Sequence, residues 1–327
     1  MFLNRKLLLL ALMLCCVPER IPAADFTVVS RLRSADCAEV PQARLELLRE
    51  LQKDADRLTP KEFAAYRKAA DEEARNMEGK SRTLAYYDAA FDKILAEVKS
   101  FSVASGTMMI WHVYNMGYVI KTPKQCFAID LYHRRAAELA PYLDFLLVTH
   151  RHGDHRWNPL FDEMAKAGKP VVSNFLDNEW KADKPGEFQF GEITIHTNQV
   201  DHNKKLLRFV NIYQIDCGAS AGGCVLLHTG DACNPAQFEL SKKIDVFIPH
   251  IRVGMNIENA VKNYVRPDYV LMSHVLELGH PVGRARWSYQ NGLDDCRKVH
   301  SCANVWMPVW GERFSWEGVG RTLSPLP

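Results

Sequence analysis

The most constraining feature of the chain is the run Phe145-Leu-Leu-Val-Thr149-His150-Arg-His152-Gly-Asp154-His155. A short apolar stretch of strand type empties into a loop with three imidazoles and a carboxylate within six positions. Solvated loops rarely concentrate histidine in this way, and imidazole with carboxylate is a donor set that suits zinc and similar divalent ions. His150 and His152, two apart in extended backbone, can point to one side. Asp154 and His155 begin the next turn and face another. That arrangement can serve two neighbouring cations, and a fold that accommodates it must bury the strand and leave its end open.

Elsewhere the pattern changes once. Residues from about 39 to 98 read as helices: Leu45, Leu48 and Leu51 share a face, Thr59-Pro60 is a helix start, and Gly79 closes a pattern before Ser81 caps the next. After Ser105-Gly106, short β-rich runs alternate with helical ones. The strands expected there begin at Met108–Tyr114, include Cys126–Leu131, Phe145–Thr149, Val225–His228, Val246–Pro249 and Tyr269–Met272, and end at Val305–Val309. Helices are expected at Arg134–Ala140, Pro159–Ala167, Asn256–Tyr264 and Arg286–Leu293. Mixed elements over some 225 residues indicate an α/β domain with covered sheets (~225 residues is within one large domain). No glycine-rich phosphate loop follows the early strands, which disfavours a nucleotide-binding reading.

The N-terminus reads as an address. Arg5 and Lys6 precede the apolar stretch Leu7–Val17, and Ala23 and Ala24 follow, the order of a secretory signal. The stretch is too short to span a bilayer. The expected divisions are a cleavable signal over 1–24, a helical extension over 25–104 and an α/β domain over 105–327. Export to a secreted or periplasmic location would permit disulfides. Cys217 with Cys224, Cys296 with Cys302, and Cys37 with Cys126 are the expected pairs, leaving Cys233 over. With 41 basic against 39 acidic residues, and formal neutrality once 1–24 is removed, a nucleic-acid partner is disfavoured. A small-molecule substrate, anionic in one reading, is expected instead, and no integral span in the mature chain. The N-terminal helices serve packing in one reading and a protein partner in another.

The strand-plus-HxHxDH run resembles the metallo-β-lactamase-fold hydrolases, and supporting positions follow in order along 107–320. Asp130 ends a strand where that family keeps an acidic residue that orients the metal loop. Val200-Asp-His202, Leu227-His-Thr-Gly230-Asp231 and Tyr269-Val-Leu-Met-Ser-His274 resemble the later ligand positions. The resemblance implies a four-layer αβ/βα sandwich with two divalent cations at one edge, zinc by default and manganese or iron as alternatives. It places His150, His152 and His202 on the first cation, Asp154, His155 and His274 on the second, and Asp231 between them. His280 competes with His274 for the last position. The strand-end setting favours His274 and leaves His280 at the substrate entrance. His250 and Arg252, just past another strand, are expected to touch substrate, Arg252 through an anionic group or else in a surface salt bridge.

The cation pair implied by the resemblance would activate a water for attack on a carbonyl carbon or a phosphorus, with Asp154 or Asp231 accepting the proton. An acidic residue at position 231 looks like the lactonase, phosphodiesterase and RNA-processing branches rather than the β-lactamases. The stretch Asp245–Val261 is similar in layout to ascorbate-6-phosphate lactonase-like members. The signal and the helical extension depart from those intracellular relatives. The main expectation is an exported hydrolase of a lactone or phosphodiester. A β-lactam-type amidase and a non-catalytic metal-binding scaffold are the alternatives.

Overall fold

A computed structural model describes residues 42–326. The signal-like segment and Cys37 lie outside the described residues. Four helices come first: α1 (Gln42–Ala55), α2 (Pro60–Lys68), α3 (Asp71–Glu78) and α4 (Arg82–Ser100). Their starts follow the local chemistry. Thr59 and Glu62 close a reciprocal capping box ahead of α2, and the Ser81 hydroxyl accepts the Leu84 amide ahead of α4. One face of α4, with Tyr87, Phe91, Ile94 and Val98, is fully buried.

Fourteen described strands then form two sheets of seven. The first has the order β14-β13-β1-β2-β3-β4-β5 and the second β12-β11-β10-β9-β8-β7-β6. In the first sheet β1 is Thr107–Tyr114, β2 Gly117–Lys121, β3 Cys126–Ile129, β4 Phe145–Val148, β5 Val171–Ser173, β13 Arg313–Glu317 and β14 Thr322–Leu326. In the second β6 is Gly186–Phe190, β7 Ile193–Val200, β8 Val210–Asp216, β9 Val225–His228, β10 Val246–Ile248, β11 Tyr269–Leu271 and β12 Asn304–Trp306. Period-two alternation decides which side chains enter the space between the sheets. Phe127, Ile129, Phe145 and Leu147 join Ile195, Tyr213, Ile215, Leu226, Val246 and Ile248 in one buried cluster. Their neighbours Ala128, Leu146, Val148, Leu227, Phe247 and Val270 belong to a second cluster that includes the helices.

Helices therefore cover the outer faces. The first sheet receives α4 and α5 (Asn158–Lys166), and the second receives a short turn of helix α6 (Ile257–Asn259) that widens to a π turn over Ala260–Val265, and α7 (Tyr289–Cys296). The structure is an αβ/βα sandwich with helices ahead of it. The N-terminal helices pack on it closely: the Tyr86 hydroxyl donates to the Trp310 carbonyl (2.6 Å), Trp111 Nε1 to Glu97 Oε2 (2.7 Å), and Lys121 Nζ to the carbonyls of Val98 and Phe101. Among the described residues no helix is long and apolar enough to cross a membrane.

Several expectations need correction. The segment expected as helix Arg134–Ala140 is a 3-10 helix over Ala136–Tyr142 that contains Pro141. The last helix starts at Tyr289, capped by Ser288, three residues later than expected. Strands β6, β13 and β14 were not anticipated. The first is an edge strand with two exposed leading residues, and the last, also an edge, carries Pro325 where a missing N–H is tolerated. The expected local disulfides are absent. Cys217 and Cys224 are unbridged thiols buried in the inter-sheet cluster. Cys302 turns its sulfur to the carbonyls of Asp268 (3.4 Å) and Asn304 (3.6 Å) rather than to Cys296. Nearness along the chain did not supply the side-chain geometry that a disulfide demands. Cys126 is likewise unbridged, and burial pushes its thiol up to about 12.

Candidate metal centre

Parallel strands put their carboxyl ends together, and in open α/β sheets that edge is where ligands gather. Here the carboxyl ends of β3 and β4 meet those of β9, β10 and β11. Asp130, just after β3, takes a positive φ of 45° and is fully buried. One carboxylate oxygen accepts the Thr149 amide (2.7 Å); the other accepts the Thr149 hydroxyl (2.7 Å) and faces His155 Nδ1 at 2.8 Å. This carboxylate therefore fixes the start of the histidine loop and holds the proton of His155 on Nδ1, which leaves Nε2 as the open donor.

Gly230 is the partner of that arrangement. Its φ is +47°, and a Cβ there would lie 2.5 Å from Thr149 Oγ1. Only glycine lets the Gly230-Asp231 turn approach Thr149 so closely. Asp231 is thereby carried in between the imidazoles. Its Oδ1 is 3.0 Å from His155 Nε2, and its Oδ2 is 3.3 Å from His202 Nε2 and 3.7 Å from His150 Nε2. His150 Nε2 and His152 Nδ1 face each other at 3.0 Å. Across the centre, Asp154 Oδ2 lies 3.2 Å from His274 Nε2 and 3.6 Å from His155 Nε2. Asn115, itself at φ +56°, steadies Asp154 through Nδ2 to the backbone carbonyl and to Oδ2, both 3.2 Å.

Four overlapping donor groups result among the described residues, and two of them hold the seven expected ligands. His150, His152, His202 and Asp231 have ligand atoms within 4.8 Å of one another, and so do Asp154, His155 and His274. The residues fit a cation. His155 Nε2 and Asp231 Oδ1 are buried, and although 3.0 Å apart they make no aligned hydrogen bond with each other or with any other described residue. A buried nitrogen and a buried carboxylate oxygen left open together would be costly unless something positive sits between them. Burial would lower the His155 imidazole, but Asp231, Asp154 and Asp130 around it hold it well above its ordinary value, so a cation at Nε2 would take the place of a proton. Burial and the neighbouring His155 hold His150 well below its ordinary value, in the neutral form that ligates. Burial alone would raise the Asp231 carboxyl, but His155 and His250 beside it hold it well below the usual range.

His152, Asp154, His202, Asp231 and His274 line a cavity of about 490 Å³ that also includes Arg252, His280 and Trp287. No family model matches the chain. Over 153 residues it is 30% identical to a UPF0173 metal-dependent hydrolase of Carboxydothermus hydrogenoformans, a stretch covering 40% of this chain and 66% of that protein, just under two thirds. Among solved structures, a metallo hydrolase from the hyperthermophilic archaeon Ignicoccus hospitalis superposes with a TM-score of 0.51 at 15% identity, covering 64% of this chain and 99% of that one. A metallo-β-lactamase fold protein of Bacillus subtilis gives 0.46 at 15% identity, covering 65% and 99%. The chain has the metallo-β-lactamase fold.

Within this metallo-β-lactamase fold, all seven residues expected as ligands from the resemblance come together at the sheet edge. His274 joins Asp154 and His155, and His280 forms a further group with Asp154 and Glu277. The His280 ring bonds through Nδ1 to the fully buried Glu277 and borders the cavity. Arg252 also lines the cavity, but its guanidinium pairs with Asp295 (Nε to Oδ2, 2.7 Å) and lies over Trp287, so the salt-bridge alternative describes it. His250 is buried at the centre itself, with Nε2 3.8 Å from Asp231 Oδ1. Asn115, Glu277 and Trp287 had no assigned role from sequence. Asn115 precedes a Met-Gly turn, which suggests a left-handed backbone but nothing of its contact with Asp154.

Proposed function

We propose that the protein is a metal-dependent hydrolase working with a pair of divalent cations, zinc by default and manganese or iron as alternatives. His150, His152 and His202 would hold one, Asp154, His155 and His274 the other, with Asp231 between. The observation that carries this reading is the convergence of two donor groups on one carboxylate at the floor of an open cavity. When bound, such a pair lowers the pKa of a shared water toward neutrality and polarises the oxygen that gains charge.

The chain's own residues supply the rest. Asp154 or Asp231 would take the proton. Glu277 holds the His280 ring against the cavity, where its Nε2 can meet a substrate oxygen. The acidic residue at 231 and the resemblance favour a lactone or phosphodiester as substrate. The order positive, apolar, small at residues 1–24 supports export. Metal analysis of the purified protein, followed by turnover of bis-(p-nitrophenyl) phosphate, a lactone panel and nitrocefin, tests the reading. Two equivalents of metal with hydrolysis of either of the first two is expected. Turnover of nitrocefin alone would move the assignment to a β-lactam amidase, and firmly bound metal without any turnover to a scaffold role. N-terminal sequencing of the exported protein tests cleavage near Ala23 or Ala24.

A further inference from the structure

Asp231, His250 and His274 follow the carboxyl ends of three successive parallel strands, β9, β10 and β11. The register pairs Ile248 with His228 and Val246 with Tyr269, and a bridge from His250 to Ser273 continues it past the strand ends. A parallel sheet in register sets its strand-end residues abreast. Ligand atoms of these three side chains accordingly lie within 4.8 Å of one another. The His250 ring stacks on His274 with centroids 3.8 Å apart and planes 25° from parallel. Its Nδ1–H donates to the Ile251 carbonyl, so Nε2 is the nitrogen with a free lone pair, and it faces the Asp231 carboxylate at 3.8 Å. The residue is only 4% exposed, which leaves little of it for a substrate to touch.

We infer that His250 is a protein ligand of the second cation, beside Asp154, His155, His274 and Asp231, rather than a substrate contact. The inference rests on the cation-pair reading above. Its consequence is a second site with three imidazoles and two carboxylates. Five protein donors exceed the four of a tetrahedral zinc site and suit an ion of higher coordination number, such as iron or manganese.

The test is cobalt(II) titration of the metal-free full chain, wild type against His250→Ala and His250→Gln, read by calorimetry and by the visible cobalt absorption. The wild type should take up two equivalents. Both variants should bind the first unchanged and the second on the order of tenfold or more weakly, with the altered absorption confined to the second equivalent. His202→Ala should show the opposite pattern. Unchanged affinity and spectrum for both equivalents in either folded variant overturns the assignment of His250 while leaving the pair intact. Fewer than two equivalents in the wild type overturns the pair and the assignment with it. Should neither variant fold, the anomalous signal of the wild-type cobalt crystal decides: a peak about 2.0–2.2 Å from His250 Nε2 supports ligation, and one beyond hydrogen-bonding distance refutes it.

Discussion

The Asp130→Asn substitution tests the core of the site without replacing any proposed ligand. Asp130 Oδ1 accepts the Thr149 amide, so an asparagine would keep its oxygen there. Its amide nitrogen would then occupy the place of Oδ2, 2.7 Å from the Thr149 hydroxyl and 2.8 Å from His155 Nδ1. The hydroxyl can rotate to accept. The imidazole can accept only by moving its proton to Nε2, and a protonated Nε2 cannot bind a cation. Loss of such an orienting carboxylate costs about 10–100-fold in metal affinity, or about 1.4–2.7 kcal/mol. Removing one charge-assisted hydrogen bond from a buried site should lower the stability of the metal-free protein by about 1.5–3 kcal/mol. Zinc titration by calorimetry and urea unfolding of the metal-free protein measure the two effects separately. A variant that loses stability but binds both equivalents as tightly as the wild type refutes the tautomer reasoning. It would mean that Asp130 only packs.

Three further expectations follow from the same geometry. Gly230→Ala places a β-carbon against Thr149 at a left-handed backbone position; that conformation alone costs about 1–2 kcal/mol, so urea unfolding should show a loss above about 2 kcal/mol, and a smaller loss would mean that Thr149 yields. Arg286 is 3% exposed and donates to the carbonyls of Ala55 (2.7 Å), Leu58 (2.8 Å), Leu278 (2.5 Å) and His280 (2.7 Å), tying the end of α1 to the cavity wall. Arg286→Met should cost about 3 kcal/mol by leaving buried carbonyls unpaired and should speed hydrogen exchange in both 52–58 and 277–287, and faster exchange in only one of them would show that the tie is not shared. For Asp295, part burial opposes its charge but Arg252 and Lys298 outweigh it and hold the carboxyl below the usual range. Its stabilisation is therefore complete above the ordinary carboxylate value of about 3.9 and is lost as the pH falls through the lower folded value, so Asp295→Asn should flatten the acid limb of the stability profile, and identical limbs would deny the pair any role.

What could be read from the sequence divides by the range of the signal. The loop from His150 to His155 is legible because its donors are local: strand, turn and ligand spacing occupy eleven consecutive positions. His202, Asp231 and His274 are legible through the family resemblance, each lying just past a strand end. Thr59 is legible locally, since its cap needs only Glu62. By contrast, the pairing of Cys217 with Cys224 fails because a short separation fixes the backbone loop but not the direction of the two sulfurs. Arg286 carries no sequence signal at all, since its acceptors are main-chain carbonyls, two of them more than two hundred positions away. The His250 case differs from both. The Ile-Pro-His ending of β10 offers the same cue as the Met-Ser-His ending of β11, yet the resemblance supplies a ligand position for one and none for the other. Physics makes no such distinction between two imidazoles stacked at the ends of adjacent parallel strands beside one carboxylate. The resemblance thus supplied the proposed cation ligands, while the sheet's own register places His250 beside them.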